Sequence, residues 1–425
     1  MSQESVNLVQ YDGARASVTV DGKKKSVGGS FYRGETMNFS PLKKDLSASD
    51  GLRKYLAHGW MPKEPFIDGE TNIVAFGSCF AANISNYLNN IGYNVATKKD
   101  NLAYISKFGD GIVNTYALLQ QFEWAWKNKT PQTDLWHGYK AAEFGYDEAV
   151  RLKTKEIFDV ADVFIITLGL SEVWYDEPTG EVFWRAVPAK MYDPSRHKFR
   201  VAEYDESIEN LRKIYAIIRE HRPESSIIFT LSPIALAATF RDQSCITSNA
   251  TSKAILRAAI DRLYREKSPA DPKLFYFPSY EIVLECYRNQ FGHDRRHVYP
   301  HVLNLNMKAF ERFYCKSGVT DEDIDQTYAE SVMIDERLGY ENTADIKAEL
   351  AELRIEDFSR GAQKNKTIDM LTDKAEPGAS ASDPLAEKRS AIRLDRIKAR
   401  KDEIREQRRI AKLESRSQSS LAMKI

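Results

Sequence analysis

Short apolar runs alternate with longer amphipathic stretches through the middle of the chain. Four of the runs have the length and the apolar character of strands that are buried on both faces. They occupy residues 73–76, 163–168, 227–231 and 274–277. A further run at 93–96 predicts one more strand. The stretches with helical spacing cover residues 80–91, 114–126, 203–221 and 252–266. Strands that alternate with helices predict a parallel sheet with right-handed crossovers.

The first apolar run leads into the turn Gly77-Ser78-Cys79, and helical spacing begins directly after it. The pattern predicts a strand, a tight turn and a helix. Ser78 would then lie at the carboxyl end of a strand and the amino end of a helix, where free backbone N–H groups favour developing negative charge. This position suits a nucleophilic serine. It also suits a helix N-cap beside a turn glycine, and the local pattern leaves both interpretations open.

The composition excludes several classes of protein. With 61 basic and 61 acidic residues the formal net charge is zero, so no overall field attracts nucleic acid or an anionic membrane. The four cysteines lie far apart without a CxxC pair, which predicts neither a zinc knuckle nor a disulfide framework. No segment is long and apolar enough to span a bilayer, and we expect a cytoplasmic protein with reduced thiols.

Composition changes along the chain predict four regions. Residues 1–68 are a partly irregular N-terminal extension, and residues 69–317 form the main domain with an insertion at about 100–159. Residues 318–358 are an acidic helical extension. Residues 359–425 are a linker and a charge-dense tail, rich in basic residues, for which a solvated helix, a weak coiled coil, a disordered segment and a partner-docking helix are all open.

The insertion is rich in aromatic residues. Trp124, Trp126, Trp136 and His137 fall in a predicted helix and in the loop that follows it. Insertions after strand ends often shape substrate pockets. These rings could therefore stack on a sugar or form a hydrophobic cap under the insertion.

Residues 76–81, FGSCFA, resemble the signature of the GSCFA family, a bacterial group related to the SGNH/GDSL hydrolases. Further stretches that resemble the family, in the family's order, lie at 162–174, 230–233, 252–257 and 277–282. The resemblance covers about residues 70–315. It implies a flavodoxin-like three-layer α/β/α core of the SGNH type, followed here by the helical C-terminal extension. It also implies the strand order 2-1-3-4-5 and a ligand site beyond the carboxyl ends of the strands.

The resemblance also implies a catalytic pair of residues for Ser78. SGNH enzymes place an Asp-x-x-His segment after the last core strand, and this chain has Asp294 and His297 at that spacing. His297 would take the hydroxyl proton of Ser78, and Asp294 would orient the imidazole. His293 and His301 crowd the same segment and leave the identity of the base open. The spacing lacks a metal-ligand motif and serine chemistry needs no ion, so we expect no metal and no cofactor.

For the oxyanion, the resemblance implies the backbone N–H groups of Ser78 and Gly169 and a side chain two residues after the glycine. SGNH enzymes typically carry Gly-x-Asn-Asp in this loop, whereas here Ser171 and Glu172 stand in place of the Asn and the Asp. The hydroxyl of Ser171 can donate one hydrogen bond, with a shorter reach than an amide. Glu172 could instead bond to the turn. Asn83 is an alternative polar contributor, or an ordinary first-turn helix residue.

Three further residues have alternative roles. Cys79 could itself be the nucleophile, because a thiolate at a helix amino end can be activated, although the resemblance aligns the serine with the nucleophile. Ser252 and Lys253 either line the site, with Lys253 placed over an acidic or carbohydrate ligand, or simply begin a helix.

We therefore expect an SGNH-like serine esterase or acyltransferase that acts on an ester, with carbohydrate O-acyl groups as the substrate class. The alternative is a non-catalytic scaffold that keeps the hydrolase fold and binds a glycan or a protein. A protein partner would dock through the charged C-terminal tail. Nucleic acid is not expected as a partner.

Overall fold

The computed structural model describes residues 15–20, 23–28, 38, 40–99, 102–132 and 146–339. Trp136, His137 and the predicted tail at 359–425 lie outside the described residues. The strands are β1 (Arg15–Val20), β2 (Lys23–Gly28), β3 (Ile73–Phe76), β4 (Val163–Leu168), β5 (Glu172–Asp176), β6 (His197–Val201), β7 (Ser226–Leu231) and β8 (Leu274–Phe277). The helices are α1 (Lys43–Leu46), α2 (Cys79–Asn90), α3 (Ala96–Lys99), α4 (Tyr104–Lys107), α5 (Thr115–Lys127), α6 (Glu148–Asp159), α7 (Tyr204–His221), α8 (Cys245–Lys267), α9 (Ser279–Glu285), α10 (Pro300–Tyr314) and α11 (Asp321–Leu338).

The central sheet has the order β3-β4-β7-β8, and every neighbouring pair is parallel. Helices flank this sheet, so the predicted α/β class is confirmed. The strands are apolar throughout because side chains from both faces are buried. Phe164 and Ile166 of β4 belong to one hydrophobic core, and Val163 and Ile165 belong to the core on the opposite face. This alternation is what a strand between two helical layers requires.

The strand predicted at 93–96 is reduced to a single parallel bridge between Val95 and Ile73. The Ile73 amide donates to the Asn94 carbonyl at 2.9 Å, and α3 begins directly afterwards at Ala96. The early start of this helix leaves no length for a strand. The bridge lies on the free side of β3, so the sheet edge keeps the expected 2-1-3-4-5 order with its first member shortened.

Helix α8 begins seven residues before the predicted start at Ser252. The hydroxyl of Ser244 caps it by accepting the Ile246 amide at 3.2 Å. The first turns are polar and carry no apolar stripe, and the hydrophobic pattern therefore missed them. Ser252 lies inside the helix and is buried, so the prediction that it begins the helix is wrong.

The aromatic residues of the insertion that the structure describes are core residues. Trp124 is 2% exposed and Trp126 is 9% exposed. Trp124 stacks on Tyr104, and Trp126 stacks on Phe122. The hydrophobic cap is therefore the correct interpretation for these two tryptophans, and they are not available to stack on a sugar.

Candidate active site

The turn after β3 requires a glycine. Gly77 has a φ of 132°, and a Cβ atom there would lie 2.1 Å from the carbonyl oxygen of Thr167 in the neighbouring strand β4. Its amide donates to the Gly109 carbonyl at 2.8 Å. The close approach of the two strand ends brings the next residue, Ser78, to the carboxyl edge of the sheet.

Ser78 caps α2 in extended conformation and is 4% exposed. Its Oγ accepts the Phe80 amide at 3.2 Å, and a hydroxyl that accepts this bond still has its own proton to donate. Among the described residues, the Ser78 amide donates to no protein acceptor. The serine therefore has the helix-capping role expected from local pattern, and it also presents a free N–H beside its hydroxyl.

The Asp294–His297 hydrogen bond that the family resemblance implied is present. Nδ1 of His297 lies 2.5 Å from Oδ2 of Asp294, and Oδ1 accepts the amides of Arg296 and His297 at 3.0 Å each. Burial acts to raise the pKa of Asp294, but these hydrogen bonds outweigh it and the pKa is lowered. The carboxylate is thus charged at neutral pH, and it fixes the imidazole with its other ring nitrogen, Nε2, free of this bond.

The segment that carries this pair is a tight loop closed on itself. The Gly292 amide donates to the His297 carbonyl at 2.8 Å, and Arg295 adopts a φ of 56°. Nε of Arg296 donates to the Ala235 carbonyl at 3.0 Å. We call residues 292–297 the histidine loop. Since Ala235 follows β7, this bond anchors the histidine loop to the carboxyl edge of the sheet.

The structure corrects the roles predicted for Gly169 and Ser171. The Gly169 amide donates to the Val113 carbonyl at 2.8 Å and is not free to bind an oxyanion. The buried Ser171 donates from its amide at 2.8 Å and from its hydroxyl at 3.3 Å, both to Oγ of Ser252. These donors order the loop after β4 rather than face a ligand.

Glu172 and Asn83 are both buried. Oε1 of Glu172 accepts the Thr239 hydroxyl at 3.0 Å, so this residue bonds to the loop after β7 and not to the turn at Ser78. Oε2 of Glu172 and Oδ1 of Asn83 are buried without a hydrogen-bond partner in the described residues. Asn83 lies one helical turn after Cys79, which keeps it as a candidate polar contributor at the start of α2.

Lys253 is buried beneath the loops rather than exposed to a ligand. Its Nζ donates to the carbonyls of Gly169 at 2.7 Å and Ser232 at 2.8 Å, and thereby joins the loops after β4 and β7. Burial lowers its pKa to about 7, and the nearby charge of Arg296 acts in the same direction. Lys253 is a positioning residue for this edge.

Burial raises the pKa of the Cys79 thiol, and the carboxylate of Asp110 adds to the rise. The positive charges of Arg185 and Arg296 act in the opposite direction without reversing it. The thiol is therefore protonated at neutral pH, which does not favour Cys79 as the nucleophile.

The two histidines near His297 lie in different surroundings. His293 is exposed in the loop. His301 is 2% exposed in the first turn of α10, beside Tyr287 and Tyr299, and neither ring nitrogen has a hydrogen-bond partner in the described residues. Burial lowers its pKa to about 3. Of the three histidines, His297 has the orienting carboxylate that a general base needs.

A family model described as the GSCFA family matches residues 72–310, which is more than half of the chain. The chain belongs to the GSCFA family. The match runs from the residue before β3 into α10, so Ser78, Asp294 and His297 all lie within it. No curated protein matches the chain.

The GSCFA region contains a site element that sequence patterns did not reveal. We call residues 109–114 the strap. Its Gly109 accepts the Gly77 amide, and its Val113 accepts the Gly169 amide. Nδ2 of Asn114 donates to the carbonyls of Phe183 at 3.2 Å and Trp184 at 3.1 Å. The strap therefore holds together the serine turn, the loop after β4 and the segment that leads to Arg185.

The described residues of this GSCFA protein include no helix with the length and apolar character needed to cross a membrane. In the same part of the chain, no three His, Cys, Asp or Glu residues are grouped as they would be to hold a metal ion.

Proposed function

We propose that this GSCFA protein is an SGNH-like serine esterase or acyltransferase. Ser78 attacks the ester carbonyl, His297 takes its proton, and Asp294 holds the imidazole in the required tautomer. The observation that carries the proposal is the Asp294–His297 pair, 2.5 Å between Oδ2 and Nδ1, on a loop anchored at the edge where Ser78 lies. The proton taken from Ser78 then passes from His297 to the leaving alcohol.

The groups around Ser78 stabilise the negative charge that develops on the carbonyl oxygen of the ester. The Ser78 amide, which donates to no acceptor among the described residues, and the amino end of α2 are oriented dipoles that favour an oxyanion more than the neutral ester. The resulting acyl-enzyme is released by water in a hydrolase or by a second hydroxyl in an acyltransferase. The same residues serve both outcomes.

An exposed aromatic cluster supports a carbohydrate ester as the substrate. Trp174 of β5 meets Phe199 of β6 at 5.6 Å and Phe240 at 4.7 Å between ring centroids, and Tyr192 at 5.8 Å. Phe240 is 58% exposed and Tyr192 is 49% exposed. Strand β5 follows the loop after β4 directly in the chain, so the cluster begins close in sequence to that loop. Exposed aromatic faces with a polar surround suit a sugar ring.

The test is labelling by a fluorophosphonate probe together with hydrolysis of p-nitrophenyl acetate. We expect both in the wild type, and loss of both in Ser78→Ala and His297→Ala. Cys79→Ala and the loop control His293→Ala keep both. Labelling that survives in Ser78→Ala, or that disappears in Cys79→Ala, would contradict the proposal.

The second candidate function is a non-catalytic scaffold that binds a glycan or a protein. The engaged Gly169 amide and Ser171 hydroxyl favour it, because donors that relatives of the fold use for the oxyanion are already bonded within the protein. Wild-type protein that is neither labelled nor active, but retains a glycan or a tail-dependent protein partner equally in Ser78→Ala, would favour the scaffold.

We also propose a cytoplasmic location. All four cysteines are unpaired, which suits a reducing compartment. Recovery of the protein in a periplasmic or extracellular fraction, while a cytoplasmic marker is retained in the cells, would contradict this location.

A further inference from the structure

Arg296 is a half-buried arginine without an ion pair among the described residues. It lies between Asp294 and His297 in the chain, and its Nε donates to the Ala235 carbonyl at 3.0 Å. The neighbouring carboxylate of Asp294 is engaged by the imidazole and by two backbone amides. The guanidinium of Arg296 therefore lies at the histidine loop and forms no ion pair with a carboxylate among the described residues.

Arg185 is a second half-buried arginine with no hydrogen bond or ion pair in the part of the chain that the structure describes. It follows Phe183 and Trp184, whose carbonyls are held by Asn114 of the strap. The preceding strap residue, Val113, holds the Gly169 amide. These bonds bring the segment of Arg185 to the loop after β4, beside the candidate site.

Both guanidinium groups act electrostatically on the residue next to the nucleophile. The charges of Arg185 and Arg296 each lower the pKa of the Cys79 thiol, against the opposing effect of burial. This effect agrees with the positions given by the bonds of Asn114 and Ala235, which hold the two arginine segments at the carboxyl edge of the sheet. The carboxylate of Asp110 acts on the same thiol but is exposed, and the Lys253 ammonium is occupied by two carbonyls. Arg185 and Arg296 therefore remain, in the described part of the chain, without a carboxylate to pair with.

We propose that the substrate carries an anionic group, a carboxylate or a phosphate, close to the ester, and that Arg185 and Arg296 bind it. Arginine suits this task because its planar N–H groups match two oxygens of either anion, and a half-buried guanidinium loses little on exchanging water for such a partner. The inference rests on the proposed esterase or acyltransferase activity and narrows its substrate class to anionic esters. The two arginines would select and position the substrate rather than take part in the chemistry.

The test compares two esters of the same chain length, p-nitrophenyl valerate and mono-p-nitrophenyl glutarate, which differ by one carboxylate. We expect the wild type to favour the glutarate in kcat/KM by about tenfold or more. Arg185→Gln and Arg296→Gln each reduce this preference by about tenfold, and high salt reduces it in the wild type. Arg295→Gln is the matched control, because Arg295 is an exposed arginine in the same loop.

A binding measurement separates failure of this inference from failure of the esterase proposal. Glutarate and inorganic phosphate are titrated by calorimetry into Ser78→Ala, alone and combined with Arg185→Gln or Arg296→Gln. Binding that depends on both arginines supports the anion site even without turnover, and the better ligand identifies the anion. Equal kcat/KM for the two esters, or anion binding that is unchanged in both arginine variants, overturns the inference while Ser78-dependent turnover stands.

Discussion

Oδ2 of Asp294 lies 2.5 Å from Nδ1 of His297, while Oδ1 of the same carboxylate holds the loop backbone. One side chain thus orients the candidate base and shapes the turn that presents it. These two tasks can be separated, because an amide keeps the acceptor oxygen but not the charge.

We expect Asp294→Asn to lower esterase kcat by about 100-fold or more, since the imidazole loses the carboxylate that fixes its tautomer and stabilises its charged form. The oxygen of the asparagine can still accept the loop amides, so the midpoint of thermal unfolding should change little. Steady-state kinetics and a thermal melt on the same sample check this. A fall in kcat of less than threefold would count against His297 as the base.

Gly77→Ala should destabilise the protein by about 3 kcal/mol or more. The added Cβ would meet a backbone carbonyl at 2.1 Å, and the φ of 132° is unfavourable for alanine. Gly92→Ala is the matched control, because Gly92 also has a positive φ, 95°, but nothing within 4 Å of the added carbon. It should cost about 1 kcal/mol. Urea unfolding gives both values, and equal costs would contradict the close approach of β3 and β4.

Lys253 makes stability depend on pH above neutrality. Its pKa is about 7 in the folded protein and 10.5 when exposed, so between these values the unfolded chain binds more protons and stability rises with pH. From pH 7 to pH 9 the free energy of unfolding should rise by about 2 kcal/mol relative to Lys253→Met. Below pH 7 the difference should be constant. The exposed Lys190→Met serves as the control, and an unchanged slope in Lys253→Met would refute the assignment.

His301 should destabilise the protein in acid. Its pKa is about 3 in the folded state against 6.5 when exposed, so the stability contributed by the neutral ring is complete above pH 6.5 and is lost as the pH falls. Relative to His301→Phe, the wild type should lose about 3 kcal/mol between pH 6.5 and pH 4. The exposed His293→Gln should leave this loss in place.

The same His301→Phe protein also tests which histidine is the base. It keeps a ring between Tyr287 and Tyr299, and we expect it to retain esterase activity. Chemical denaturation at several pH values and an esterase assay together give the answer. Loss of activity in a folded His301→Phe protein would move the role of base away from His297.

Local pattern predicted the elements whose periodicity is complete. Strands β4 and β8 have the predicted bounds, and α5 and α7 begin within one residue of the prediction. The hydrophobic period of a buried strand or an amphipathic helix is visible in consecutive residues of the sequence. The predicted start of α8 failed where the helix surface is polar. The β5–β6 hairpin was not predicted because its two strands are separated by a long connection.

The Asp294–His297 bond could be predicted because the chain resembles enzymes with an Asp-x-x-His segment, in which the two residues are only three positions apart. The hydrogen bond of the Gly169 amide could not be predicted, because its acceptor, Val113, lies more than 50 residues earlier in the chain. The position of Arg185 depends on Asn114 in the same way. Whether a donor is free is a property of non-local contacts, and a single sequence does not reveal them.

The strap has a consequence for the boundaries of the GSCFA domain. Surface insertions are usually dispensable, since the cost of closing a loop grows only slowly with its length. This insertion is different, because the amides of Gly77 and Gly169 both find their acceptors within it. Trimming residues 100–159 would leave two buried donors unsatisfied at the edge that carries Ser78. The insertion is therefore part of the structure that forms the carboxyl edge of the sheet, and shortened variants of this domain should keep it.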